Sequence, residues 1–310
     1  MRYILVILLL ALVLSGCSLA PGSDRDDDED YRTGTEGLRL SFMQNLPPYK
    51  LYDDEDFNVM IKVQNVGAED LSTGSNSRVY LSGYDEHIIR DMDRSQTIGD
   101  VEGKDQYNHQ GDFTTLEYSG DIRDLSSRNI DTYPFTLLAT ACYGYTTIAE
   151  PTVCIDPEPH STSSREKACN ADLDPSVGTQ GAPIVVNRID VEPMKGKTKF
   201  KIHIRNAGSG TVFKDGYSYL SSCDPWDAEG LSYTDIDQVN VVSVEVSEQD
   251  ITGTCKPLKD GYLRLTDGNG YIVCELKDLA GAAYTTPLRV QLEYGYRQTL
   301  RRNVKVVSSE

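Results

Sequence analysis

Six cysteines remain in this 310-residue sequence once Cys17, close to the N-terminus, is set aside, and their thiols could form disulfides or bind a metal. An even number of cysteines is typical of exported chains, which close disulfides in an oxidising compartment. A zinc site is disfavoured, because the sequence has no Cys-x-x-Cys motif and no histidine at ligand spacing from a cysteine pair. We therefore predict three disulfides among Cys142, Cys154, Cys169, Cys223, Cys255 and Cys274.

The pairing of these cysteines depends on the turns between them. Cys142 and Cys154 flank a predicted hairpin turn at residues 147–150, which would place them opposite each other on two strands. They are the first predicted pair. The other four cysteines allow three pairings, of which we favour Cys255–Cys274 and Cys169–Cys223.

The four histidines and the clustered acids form no catalytic pattern. His203 lies on the polar side of a predicted strand, and the other three histidines lie in loop-like segments. No nucleophile elbow, phosphate-binding loop, dinucleotide fingerprint or His-Glu-x-x-His motif is present. Acidic runs such as residues 53–56 are common in turns, and acid–base catalysis would require carboxyl groups that face each other. We expect a protein that is not an enzyme and uses no cofactor.

The N-terminus has the pattern of an exported protein. Arg2 precedes an apolar run over residues 4–14, which is shorter than the ~20 residues that a membrane-spanning helix needs. The following sequence LSGC, residues 14–17, resembles a lipobox, where a prokaryotic signal peptidase cuts before a diacylglyceryl-modified cysteine. The resemblance implies a signal peptide at residues 1–16 and a lipid anchor on Cys17, on the extracytoplasmic face of the cell membrane. Cleavage after Ala20 is the alternative.

The segment that follows has the composition of a tether, which we assign to residues 17–35. Six of the seven residues from 24 to 30 are acidic, and like charges at this density keep a chain extended. Clustered carboxylates also suit calcium, but the spacing of an EF-hand loop is absent. We interpret the run as a solvated spacer between the membrane and the folded part.

The remaining sequence predicts short antiparallel strands. Apolar and polar residues alternate over residues 57–64, which is typical of a strand with one buried face. The sequence DGNG at residues 267–270 separates two strand-like segments, at 262–265 and 271–273, and predicts a hairpin.

The strand pattern occurs twice. Residues 57–67 resemble residues 200–208, each segment ending in Asn-x-Gly, and the sequence YGY at 143–145 recurs at 294–296. The repeats predict two tandem antiparallel β-sandwich domains, which we place at residues 36–158 and 182–310. Residues 159–181, rich in Pro, Ser, Asp and Gly, would be the linker.

The opening of each copy resembles a known class of module. In the second copy, PIVVNRIDV at residues 183–191 leads into the strand that ends in Asn-Ala-Gly. This order is similar to that of CARDB-type and related immunoglobulin-like modules of prokaryotic, including archaeal, cell-surface lipoproteins. The resemblance implies an immunoglobulin-like fold used for adhesion or as a spacer, and it transfers no catalytic residue. The cysteines and the long insertions at 84–111 and 224–238 depart from it.

Charge and tyrosine content narrow the class of partner. The formal net charge of −18 disfavours nucleic acid, whose phosphates require a basic surface. Tyrosine suits recognition surfaces, and four of the nineteen tyrosines lie in predicted loops: Tyr84, Tyr107, Tyr217 and Tyr233. We expect a membrane-anchored, non-catalytic binding or adhesion module with a protein or glycan partner at the cell surface.

Other functions stay open at this stage. A structural subunit of an envelope layer or filament is the main alternative, with residues 34–42 as a strand that another subunit could accept. An extracellular hydrolase or a calcium-binding protein is less favoured.

Overall fold

The computed structural model describes residues 31–161, 167–171 and 173–309. These residues form seventeen β-strands and one short α-helix. In chain order the elements are β1 (Leu38–Phe42), β2 (Lys50–Tyr52), β3 (Asp56–Asn65), β4 (Arg78–Ser82), β5 (Ile89–Arg90), β6 (Ser95–Thr97), β7 (Phe113–Ile122), β8 (Thr132–Ala149), β9 (Thr152–Ile155), β10 (Ile184–Met194), β11 (Lys197–Asn206), β12 (Thr211–Phe213), α1 (Tyr217–Ser222), β13 (Gln238–Val246), β14 (Gln249–Asp250), β15 (Tyr262–Arg264), β16 (Asn269–Leu276) and β17 (Tyr284–Val307).

The strands form three sheets. One contains β1, β3, β7 and β5 of the first copy, and another contains β10, β11 and β16 of the second copy. The third is a ten-stranded central sheet to which both copies contribute, along the path β14-β13-β17-β8-β4-β6. Buried side chains from all three sheets belong to one hydrophobic core, and Tyr31–Glu310 forms one compact unit.

Alternation of side chains explains how the strands bury one face. In β3 the apolar positions Phe57, Val59, Ile61 and Val63 are buried, whereas the intervening residues are exposed or partly exposed. The same pattern recurs in β11. Burial of one face on each strand provides the main free energy that holds the sheets together. The alternation predicted from the sequence is confirmed in both copies.

The turn of the predicted hairpin is present, but the two strands that flank it do not pair with each other. Asp267 and Gly268 adopt positive φ angles of 51° and 72°, as a two-residue hairpin turn requires, and Thr266 and Asn269 exchange backbone hydrogen bonds. The strand before the turn, β15, pairs with β13 and forms no ladder with β16. A turn sequence therefore sets the local backbone but not the strand partner.

The longest strands join the two copies at the centre. All eighteen residues of β8 pair antiparallel with the last eighteen residues of β17. The register places Tyr143 opposite Tyr296 and Tyr145 opposite Tyr294. Exchanging the two copies reproduces this register, so a local pseudo-twofold axis passes between Gly144 and Gly295. The repeated Tyr-Gly-Tyr sequence thus marks the middle of the molecule.

All six predicted cysteines form disulfides, as Cys142–Cys223, Cys154–Cys169 and Cys255–Cys274. The predicted Cys255–Cys274 pair is confirmed, whereas Cys142–Cys154 and Cys169–Cys223 are wrong.

The wrong pairing has a simple geometric reason. The chain does not reverse after β8, because both β8 and β9 run antiparallel to β17 and follow it in succession. Twelve residues of extended chain between Cys142 and Cys154 span about 40 Å. A disulfide requires Cα atoms within about 7 Å of each other.

The described structure is all-β with antiparallel sheets, consistent with the predicted sandwich architecture. The finer division into two immunoglobulin-like domains separated by residues 159–181 stays a prediction. The predicted signal peptide, Cys17 and residues 17–30 of the predicted tether lie outside the described residues. Within the described ranges, no helix is both long and apolar enough to span a membrane.

Candidate binding surface

The tyrosines of the repeat are core residues held by one hydrogen-bond pattern in each copy. In the first copy the Tyr145 hydroxyl lies 3.4 Å from Asn65 Oδ1 and accepts a bond from the Glu69 N–H at 3.1 Å. Asn65 Nδ2 donates in turn to the Glu69 carbonyl at 2.6 Å. The asparagine of Asn-x-Gly therefore links the Tyr-Gly-Tyr strand to the loop after β3.

The second copy repeats each of these contacts. Tyr296 Oη donates to Asn206 Oδ1 at 3.1 Å and accepts from the Gly210 N–H at 2.8 Å, and Asn206 Nδ2 donates to the Gly210 carbonyl at 2.9 Å. The glycine of each Asn-x-Gly is also required, because a methyl group at Gly67 or Gly208 would overlap a tyrosine hydroxyl. Both motifs therefore have a packing role.

The remaining two tyrosines of the repeat are completely buried. The Leu38 N–H donates to the Tyr143 hydroxyl at 3.3 Å, and the Ile184 N–H donates to the Tyr294 hydroxyl at 3.4 Å. Burial raises the pKa of both tyrosines well above the usual value, so they are neutral in the folded protein. The four repeat tyrosines are inaccessible to a partner.

The loop tyrosines divide into one buried and three exposed residues. Tyr84 is 9% exposed and packs against Trp226, with ring centroids 5.6 Å apart. Burial raises the pKa of Tyr84 to about 12, and its selection as a recognition residue is wrong. Tyr107, Tyr217 and Tyr233 are 88%, 72% and 74% exposed.

One exposed tyrosine belongs to a larger group, which we call the tyrosine surface: Lys214, Tyr219, Tyr233, Tyr262 and Arg264. Lys214 Nζ lies 5.3 Å from the ring centre of Tyr219 and 5.7 Å from that of Tyr262. The Arg264 guanidinium carbon lies 4.2 Å from the ring centre of Tyr233. Cations over aromatic faces stabilise both groups, and Tyr233 is the exposed member of the surface.

Neighbouring polar groups fix this surface. Tyr262 Oη donates to Asp215 Oδ1 at 2.8 Å, and Lys214 Nζ lies 3.3 Å from Asp235 Oδ1. Arg264 donates to the Tyr233 carbonyl at 3.2 Å, which ties the insertion to β15. Burial raises the pKa of Tyr262, and its bond to Asp215 adds to the shift. The tyrosine surface is therefore ordered before any partner binds.

The sequence identified only part of this surface. Tyr233 was predicted to lie in a recognition loop, within the insertion at residues 224–238. Tyr219 and Tyr262 were missed, because one lies on α1 and the other on β15, and only the tertiary fold brings them together. The alternation of Tyr262 and Arg264 with a buried Leu263 is a local signal that could have identified Tyr262, and no such signal marks Tyr219.

His203 on β11 is hydrogen-bonded to an acid on the neighbouring strand β10. His203 Nε2 lies 3.0 Å from Asp190 Oδ2, and Arg188 Nε lies 2.6 Å from Asp190 Oδ1. The hydrogen bond from His203 lowers the pKa of Asp190 despite the opposing effect of burial, and Arg188 contributes further. Cross-strand pairs of this kind stabilise a sheet face. Among the described residues, no group of three potential metal ligands is present.

No protein-family model matches this chain, and no curated protein is significantly similar to it. The resemblance to CARDB-type modules therefore stays a prediction.

Proposed function

We propose that this chain is a lipid-anchored, non-catalytic binding protein of the cell surface that contacts a protein or glycan partner through its tyrosine surface. The observation that carries the proposal is the pair formed by Tyr233 and Arg264, an exposed ring stacked on a guanidinium. Tyrosine and arginine, together with tryptophan, are enriched at the energetic centres of interfaces. Tyrosine also contributes a large contact area at a low cost in conformational entropy.

The proposed location rests on the N-terminal sequence. A lipid on Cys17 would attach the protein to the outer side of the membrane, and two acyl chains are sufficient for stable anchoring. Three disulfides are in keeping with an oxidising compartment. The acidic residues 24–30 would separate the folded part from the lipid headgroups.

A polymerising envelope subunit is the second candidate, but one observation weakens it. The predicted donor segment, residues 34–42, contains β1, which pairs with β3 of its own chain from Leu38 to Phe42. Donation to another subunit would first have to break this ladder and expose Leu38, which is buried.

The test compares two exposed tyrosines. We would measure binding of the full-length protein, reconstituted in phospholipid vesicles, to intact cells that lack the protein. Tyr233→Ala should weaken binding about tenfold or more, the effect of removing a central interface residue. Tyr107→Ala removes a ring that is more exposed than that of Tyr233. Because Tyr107 lies outside the tyrosine surface, this substitution should leave binding unchanged.

Two results would contradict the proposal. Equal binding by both variants would exclude the tyrosine surface as the contact. Ordered oligomers of the wild-type protein in light scattering, together with unchanged cell binding by Tyr233→Ala, would favour the structural subunit.

A further inference from the structure

A polar cavity of about 380 Å³ lies on the face of the central sheet opposite the buried repeat tyrosines. Its floor includes residues of β8 and β17, and one wall is formed by the chain that leads into β12. The residues that matter for its chemistry are Arg297, Arg301, Thr140, Thr299, Ser209 and Thr211. Arg297, Thr299 and Arg301 alternate along β17 and so share this face.

The charge in this cavity is opposite to that of the chain. No acidic side chain lines it, and neither Arg297 nor Arg301 forms an ion pair within the described part of the chain. Some basic residues elsewhere on this protein, which has a net charge of −18, are paired with acids, as Lys214 is with Asp235. Two arginines without acidic partners around one cavity form a site for an anion, because guanidinium binds carboxylates in a fixed bidentate geometry.

Hydroxyl groups occupy the space between the two arginines. Thr140 Oγ1 lies 3.0 Å from Thr299 Oγ1 across the β8–β17 pair, and Ser209 and Thr211 lie on the wall. Among the described strands, none pairs with the other edge of β17 between Arg297, which lies opposite the first residue of β12, and Lys305, which lies opposite the first residue of β2. The cavity therefore offers backbone and hydroxyl hydrogen-bonding groups between two positive charges.

We propose that this cavity binds a short acidic saccharide, whose carboxylates pair with Arg297 and Arg301 and whose hydroxyls bond to the floor and wall. Four residues of extended strand separate the two arginine Cα atoms by about 13 Å. A ligand with separated charges and hydroxyls between them fits this spacing better than one compact anion does. The site is distinct from the tyrosine surface and does not depend on the proposed function.

The experiment is calorimetric titration of the full-length protein, in detergent micelles, with trigalacturonate as the probe. We expect saturable binding that weakens as salt is added, because the contacts are ionic. The neutral sugar maltotriose should not bind. Inorganic phosphate should bind at least about tenfold more weakly, because it can satisfy only one guanidinium.

Variants assign the binding to this cavity. Arg301→Gln and Arg297→Gln should each weaken trigalacturonate binding about tenfold, which corresponds to the loss of one charge-assisted contact. Arg205→Gln, at an exposed position of β11 outside both surfaces, is the matched control and should bind like the wild type. Arg301 is exposed, so its variant keeps the test valid if Arg297→Gln fails to fold.

Three results would overturn the proposal: no binding of trigalacturonate, equal binding of maltotriose, or undiminished binding by Arg301→Gln. If phosphate binds as tightly as trigalacturonate, the cavity is a site for simple anions and not for an acidic saccharide. Each of these results leaves the cell-binding test of Tyr233→Ala unaffected, so the two proposals fail separately.

Discussion

The two copies of the repeat are alike where they meet and different where they face solvent. Around the second tyrosine of each Tyr-Gly-Tyr sequence, the same asparagine side chain, backbone N–H and backbone carbonyl form the same hydrogen bonds. A buried hydroxyl without these partners would cost about 1–3 kcal/mol. The cost of losing these hydrogen bonds therefore constrains the asparagine and the tyrosine in both copies.

On the opposite face, equivalent positions of the two copies carry different chemistry. Arg297 and Arg301 of the second copy correspond in the repeat to Thr146 and Glu150 of the first. Glu150 pairs with Arg289 at 3.4 Å, whereas the two second-copy arginines line the open cavity. The hydrogen-bonded core therefore restricts the sequence of both copies far more than the outer face does, and on the outer face only the second copy has the two arginines.

The largest expected effect comes from the two central glycines. A methyl group at Gly295 would overlap the ring of Phe213, whereas the nearest atom to one at Gly144 would be Leu220 Cδ1, at 3.9 Å. We predict that Gly295→Ala lowers the free energy of unfolding by about 1–3 kcal/mol, as overpacking of a core does. Gly144→Ala should be neutral or slightly stabilising, because alanine restricts the unfolded chain. Urea unfolding of the oxidised protein measures both effects. Equal effects of the two substitutions would contradict the prediction, because they would show that the Phe213 ring does not limit the space at Gly295.

Next in size are the equivalent tyrosines. Tyr145→Phe and Tyr296→Phe each remove one buried hydroxyl that makes two hydrogen bonds. Each should lower the free energy of unfolding by about 1 kcal/mol, and the two losses should be similar because the networks are the same. Tyr107→Phe, at an exposed position, should change nothing. Urea unfolding measures the three variants. A loss of stability in only one of Tyr145→Phe and Tyr296→Phe would show that the two hydrogen-bond networks are not equivalent.

Local patterns in the sequence predicted the strands, the repeat and one disulfide. Residues 57–64 and 200–206 alternate because each strand buries one face. Spacing in the sequence does not explain the correct disulfide, because the missed Cys154–Cys169 pair is separated by 15 residues and Cys255–Cys274 by 19. The pairing of β8 with β17 could not be predicted, because it joins segments about 150 residues apart and no local signal sets their register.

The candidate site was harder to predict for the same reason. The Cys142–Cys223 disulfide, the tyrosine surface and the cavity each combine residues from distant parts of the chain. Sequence reasoning found their single members, such as Tyr233, but not the groups. β8 and β9 follow β17 in succession, and no residue near Glu150 predicts that the chain continues without a reversal there.

The smallest expected effect on stability concerns one equivalent position at which the two copies differ. This position is Glu69 in the first copy and Gly210 in the second. Burial raises the pKa of Glu69 above its usual value of 4.5, nearby acids add to the shift, and a hydrogen bond with Thr146 opposes it. Because the pKa is higher in the folded than in the unfolded state, the native state binds the proton more tightly. The stabilisation is complete below the unfolded pKa and is lost as the pH rises through the folded pKa.

Replacing this carboxyl with an uncharged amide should therefore help at neutral pH. We predict that Glu69→Gln has a higher Tm than the wild type at about pH 7 and the same Tm below about pH 4, where the wild-type carboxyl is protonated. Thermal unfolding followed by circular dichroism across this range tests it, with Glu192→Gln on the exposed second-copy sheet as the control. A Tm advantage that persists at low pH would trace the effect to packing, and a lower Tm at neutral pH would mean that the ionised carboxylate stabilises the first copy.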